Sequence, residues 1–304
     1  MNYGDILEEI YKEIKLIKPD GAVATYIPEL SNVNPAKYGI TLLTIDGKQY
    51  SEGDAAEIFS IQSISKVFSL AFCISLLEED LWKRIGVEPS GNPFNSIVQL
   101  EYEKGIPRNP FINAGAIVMA DILISHLAQP EKEYLSFVKK ISGNKNIQYN
   151  EKIAASEKEK GFLNTALINV LKYFGNINND IERVLSFYYY QCSIEMSCND
   201  LSKAFLPFAN HTKKFQFDTV CLTRSQVKRI NAIMQTCGLY DEAGDFSYRV
   251  GLPGKSGVGG GIVAIHPEKY SVAVWSPVLN KKGNAVLAIK SLELLTTKTG
   301  LSIF

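Results

Sequence analysis

The chain has 304 residues, 46% of them hydrophobic, and its 32 basic and 32 acidic side chains cancel. That is enough apolar material for a large core in one domain or two lobes, and the interspersed charge argues against nucleic acid or an anionic membrane as main partner. Five cysteines without C-x-x-C spacing and three scattered histidines without H-E-x-x-H point to no zinc knuckle, disulfide framework or metal site, so the thiols read as reduced.

The first nine residues carry Asp5, Glu8 and Glu9 where a secretory signal would be basic and then apolar, so a cytoplasmic location is expected. Apolar residues at Ile6, Leu7, Ile10, Tyr11, Ile14 and Ile17 predict a packing helix that ends before Pro19. Residues 38–45 are rich in β-branched side chains, and Asp46-Gly47 turns them into 48–51, a hairpin signal. From Val67 to about Phe205 the spacings are helical, with breaks at 88–93 and 105–110. The most apolar stretch, 67–77, is too short to cross a bilayer.

The character changes at the glycine-rich stretch 251–261, after which 262–265 and 270–276 read as strands joined by a turn at Pro267-Glu268-Lys269. A closing helix is expected over 284–297. Strands near both ends and helices between them predict an α/β lobe from about 1–70 and 239–304, with a helical lobe, about 71–238, inserted into it as part of a single catalytic unit. The cleft between the lobes is the expected site.

Several residues in this frame could carry chemistry. Ser63 and Lys66, three apart at the mouth of the apolar run, share one face of a helix that starts there. A lysine whose pKa is lowered by burial can take a serine proton, and unpaired N–H groups at a helix start can bind an oxyanion. The bland alternative is a solvated helix start. Lys255-Ser256-Gly257 enters a strand that could lie beside such a nucleophile, although the following glycines fit a bulge or loose turn equally well. The order of S-x-x-K, helical insert and K-S-G is that of penicillin-interacting serine hydrolases.

Other candidates are weaker alone. Asn113 could bind an amide or cap a helix, and Glu157 lies in a charged run that fits a solvated face. Asn164 is seven residues beyond Glu157, on the same helical face unless Gly161 interrupts. Tyr188 fits aromatic packing, and Tyr240 could pack or relay protons if Lys66 lowers its pKa.

Taken together, these segments resemble the serine-dependent glutaminase family. The matching runs are Phe59 to Phe68, Val87 to Gly91 with Phe94-Asn95-Ser96, Gly105 to Ala116, Tyr26-Ile27-Pro28-Glu29-Leu30, Gln191-Cys192-Ser193 and Lys255 to Val258. The resemblance implies a β-lactamase-like α/β fold, an antiparallel sheet flanked by helices with an inserted all-helical lobe. It further implies hydrolysis of L-glutamine to L-glutamate and ammonia through a seryl acyl-enzyme, without metal or organic cofactor, in a homodimer or homotetramer.

Carried over residue by residue, it makes Ser63 the nucleophile, Lys66 the base and Tyr240 a partner in proton transfer. The N–H groups of Ser63 and Val258 become the oxyanion hole. Tyr26, Asn113, Glu157, Asn164 and Tyr188 hold the amino acid head, with Glu157 on the α-ammonium. The match weakens over 132–153, at Asn210-His211-Thr212 and at Asn284-Ala285. The alternatives are a β-lactam or peptide hydrolase of the same fold, and a non-catalytic glutamine-binding protein.

Overall fold

A computed structural model describes residues 2–25, 27–91, 96–210 and 212–304. Tyr26, His211 and the Phe94-Asn95 part of the matching runs lie outside the described residues. The chain runs through α1 (Tyr3–Lys15), α2 (Pro28–Ser31), β1 (Gly39–Thr44), β2 (Gln49–Gly53), β3 (Phe59–Ser60), a 3₁₀ turn at Gln62–Ile64 and α3 (Ser65–Leu77). A second such turn, Glu78–Lys83, leads to α4 (Ile97–Tyr102), α5 (Asn113–His126), α6 (Pro130–Ser142), α7 (Glu151–Lys160), α8 (Phe162–Tyr173) and α9 (Ile181–Cys192). Then come β4 (Glu195–Met196), α10 (Cys198–Ala209), the small hairpin β5 (Phe215–Phe217) and β6 (Val220–Leu222), and α11 (Arg224–Cys237). The 3₁₀ turn Tyr240–Glu242, α12 (Ala243–Arg249), β7 (Gly254–Ser256), β8 (Gly261–His266), β9 (Tyr270–Trp275) and α13 (Val286–Thr299) complete it.

Strands from the two ends of the chain make one antiparallel sheet in the order β2-β1-β9-β8-β7. Both of its faces are covered, which is why β1 and β9 are buried throughout while the edge strand β2 is half open. The alternation of side chains decides what each face meets. Ile262, Ala264, Val272 and Val274 join Leu7, Ile10, Ile14, Leu292 and Leu295 from α1 and α13. Val263, Ile265, Ala273 and Trp275 point the other way, into the core of the helical body, where α10 lies directly on β1, β8 and β9. Each fully buried Val, Ile or Leu contributes roughly 1.5–3 kcal/mol, and a one-residue slip would exchange the two sets, so the register is strongly specified.

The expected hairpin and closing strands form where the sequence places them, with Gly47 at φ +89 in the first turn. Two helix ends differ from expectation. α1 stops at Lys15, leaving Leu16 exposed, and α13 starts at Val286 because Asn284 spends its side chain on the Tyr240 turn. The expected face shared by Glu157 and Asn164 is split between α7 and α8. A Cβ at Gly161 would meet the Tyr189 hydroxyl at 2.0 Å, so the junction depends on glycine.

Candidate active site

Ser63 sits in the 3₁₀ turn that bridges β3 and α3, preceded by Gln62 in a left-handed conformation at φ +50. That strained turn exposes a serine to a cavity while its neighbours stay buried. The glycines after Lys255-Ser256 explain how a second segment comes close: a Cβ at Gly257 would meet Ile61 O at 2.4 Å, and one at Gly259 would meet Ser60 O at 2.1 Å. The run is a close backbone approach rather than a loose turn, and it sets Val258 beside Ser63 on the cavity wall. Neither the Ser63 nor the Val258 backbone N–H finds an acceptor among the described residues.

Lys66, in the first turn of α3, is buried, and its Nζ donates to Phe111 O at 3.1 Å and to Asn113 Oδ1 at 2.8 Å. Burial pushes its pKa down to about 8, against the opposing pull of Cys192 and Glu157. Asn113 does not cap α5. α5 has Ile112 at its N-cap and no side-chain cap, while Asn109 Oδ1 accepts from Phe111 N and Ile112 N in the turn before it; Asn113 Nδ2 donates to Asn164 Oδ1 at 3.0 Å. Asn113 thereby links the lysine to α8.

Glu157, expected on a solvated face unless the resemblance held, turns into the cavity from the last turn of α7. Its Oε1 is shut from solvent and accepts no hydrogen bond among the described residues. Burial pushes its pKa up to about 7, with Gln62 and Lys66 pulling the other way. Burial likewise raises the Tyr188 hydroxyl, which stands close to Cys192.

Tyr240 corrects an expectation. Its phenol is not made more acidic by Lys66; burial pushes its pKa up, and the counterweight comes from the Ser63 and Ser256 hydroxyls. The cation over its ring is Lys255, with Nζ 4.7 Å from the centroid. Lys255 is fully buried, donates to Gly238 O at 3.0 Å and to Ser256 O at 2.5 Å, and burial holds its pKa well below the usual lysine value.

These elements line a cavity of about 330 Å³: Ser63, Tyr240 and Val258 come from the two 3₁₀ turns and the glycine-rich segment, one wall by origin, and Asn113, Glu157, Asn164 and Tyr188 from the helices α5, α7, α8 and α9, the other. That lies at the small end of the roughly 300–1,000 Å³ of ligand clefts, as suits a metabolite. Lys66 stands behind the wall and Tyr26 lies outside the described residues. Two larger surface clefts, each about 550 Å³, contain none of these groups. The wall also includes Gln62, Lys160, Leu163 and Cys192, which the sequence reading did not single out. Gln62 and Cys192 lie inside matching runs and could have been found there; Lys160 and Leu163 carry no local signal.

The family model described as Glutaminase matches residues 21–304. This chain belongs to the glutaminase family. The glutaminase of Christiangramia forsetii is 58% identical over 304 residues, covering all of both chains, and that of Aliarcobacter butzleri is 54% identical over 305 residues, again with full coverage. Among solved structures, the probable glutaminase ybaS superposes with a TM-score of 0.92 at 31% identity, covering 99% of this chain and 97% of that one. A Bacillus glutaminase gives 0.88 at 30% identity, covering 100% of each. The fold of this chain is β-lactamase-like, an antiparallel sheet flanked by helices. Among the described residues, no helix is long and apolar enough to cross a membrane.

Proposed function

We propose that the chain hydrolyses L-glutamine to L-glutamate and ammonia through an ester on Ser63. The observation that carries this is the single cavity in which an approachable serine, two backbone N–H groups and a shielded Glu157 Oε1 meet, the last three without partners among the described residues. Family membership along nearly the whole chain supports the substrate. Neutral Lys66 takes the Ser63 proton, and Oγ attacks the side-chain amide carbon. The oxyanion that develops is held by the N–H groups of Ser63 and Val258. Tyr240, beside Ser63 in the cavity, passes its proton to the amide nitrogen and is reprotonated by the Lys66 ammonium, so the C–N bond breaks, ammonia leaves and Lys66 is neutral again. Water then attacks the ester, gives its proton to the same base, and the returning proton restores Ser63 as glutamate departs.

Glu157 pairs with the α-ammonium, while Asn113, Asn164, Tyr188 and Tyr26 hold the rest of the amino acid head. No step draws on a metal or organic cofactor. The sheet and the helical body act as one catalytic unit, in a cytoplasmic homodimer or homotetramer; light scattering that finds monomer alone at working concentration rejects the assembly. Ammonia release from glutamine, asparagine and a chromogenic β-lactam tests the substrate. Glutamine turnover well above the other two is expected. Hydrolysis of the β-lactam alone would favour the alternative hydrolase, and saturable glutamine binding without ammonia a non-catalytic binder.

A further inference from the structure

Tyr240 holds a left-handed backbone at φ +48, unusual for a residue with a ring to place. Such a conformation persists where its surroundings over-determine it, and here they do so through three side chains that do not line the cavity. The Glu242 carboxylate accepts from Asn280 Nδ2 at 2.9 and 3.1 Å and from Asn284 Nδ2 at 2.6 Å. Asn284, fully buried, also donates to Leu239 O at 3.4 Å, and Glu242 N returns to the same carbonyl at 2.8 Å. Lys282 Nζ adds a bond to Asp241 O at 3.2 Å. The residues on both sides of Tyr240 are thus tied to the 280–284 loop.

That loop is itself folded tight. Asn280 Oδ1 accepts from Lys282 N at 3.0 Å and Asn284 N at 3.1 Å. A Cβ at Gly283 would stand 3.7 Å from Val258 Cγ1 and 3.8 Å from the Tyr240 ring, so one loop backs both that ring and the residue that offers the oxyanion donor. Asn284 keeps its buried place although its Oδ1 has no partner among the described residues; what it contributes are the two donor bonds to the Tyr240 turn. Hydrogen bonds onto an ionised acceptor are the stronger kind, which makes Glu242 the hub.

We infer that Glu242, with Asn280 and Asn284, is a positioning group that fixes the Tyr240 hydroxyl against Ser63 during proton transfer. This rests on the relay role proposed for Tyr240. A relay displaced by about 1 Å loses rate on the order of 10²-fold, whereas substrate held by Glu157 and Asn164 keeps its affinity.

The test is a cycle of Glu242→Ala and Tyr240→Phe, singly and together, with kcat, KM and the pH profile read on glutamine. Glu242→Ala should lower kcat about 10- to 100-fold with KM changed less than about twofold, and should add less than about twofold in the Tyr240→Phe background. Glu242→Gln, which keeps one acceptor oxygen, should recover part of the loss. Equal factors in the two backgrounds overturn the inference while leaving the relay intact. A Tyr240→Phe enzyme with unchanged kcat removes the relay, and the positioning role with it. Should Glu242→Ala not fold, the same cycle with Asn280→Ala, a partly exposed residue, decides by the same rule.

Discussion

The two walls of the cavity are built on opposite principles. Behind the hydrolytic wall the two buried lysines are held by the protein itself: Lys66 by Phe111 O and Asn113, and Lys255 by Gly238 O and Ser256 O. The opposite wall leaves Glu157 Oε1 buried and without a partner among the described residues. A pre-satisfied wall costs little to reorganise during chemistry, whereas an unsatisfied carboxylate costs stability until a cation arrives. Catalysis and recognition are thereby divided between the sheet side and the α7–α8 side.

Substitutions on the two walls should separate kcat from KM. Ser63→Ala has the largest expected effect, a fall in kcat on the order of 10⁶ with glutamine binding retained, measured by ammonia release and calorimetric titration. Lost binding would erase the distinction between the walls. Tyr240→Phe should reduce kcat about 10²- to 10⁴-fold, the range of one general acid–base group, with KM little moved.

Glu157→Gln should do the reverse, raising KM about 10- to 100-fold because the α-ammonium loses a charged partner, as read from initial rates. A variant in which kcat alone falls would place Glu157 with the chemistry. The pH profile sharpens this further. Glu157 gains its charge as pH rises through about 7 and Lys66 loses its proton through about 8, so kcat/KM should climb between about pH 6 and 8.5. In Glu157→Gln the lower of these two steps should vanish.

The smallest effect is on stability. The Glu157 pKa is raised in the folded state from an ordinary 4.5 to about 7, so its contribution is fully present below 4.5 and is lost as pH rises through 7. Glu157→Gln should therefore raise the thermal midpoint at pH 8, by on the order of 1 kcal/mol of stability, and confer a smaller advantage at pH 5. Equal midpoints at pH 8 would show that the carboxylate is already solvated.

Much of this was legible in the chain. The β-branched runs around Asp46-Gly47 and Pro267-Glu268-Lys269 specify hairpins because turn chemistry and period-two alternation are local properties. Ser63 with Lys66, and Lys255-Ser256-Gly257, are equally local words. Glu157 was not legible from its neighbours. Ser156-Glu157-Lys158-Glu159-Lys160 carries the pattern of a solvated helix face, and only the resemblance assigned it to the pocket.

By itself the sequence determined the family, the order of nucleophile turn, helical insert and K-S-G strand, and the residue types able to do acyl chemistry. Tertiary structure alone decided how they act. Asn113 joins Lys66 of α3 to Asn164 of α8; Gly161 bends α7 into α8 against Tyr189; the 280–284 loop holds Tyr240 in a left-handed turn. Each of these depends on contacts between segments tens of residues apart, or on a chain break set by such a contact. Burial, which moves Lys66 down and Glu157 up, belongs to the packed fold and to no single stretch of sequence.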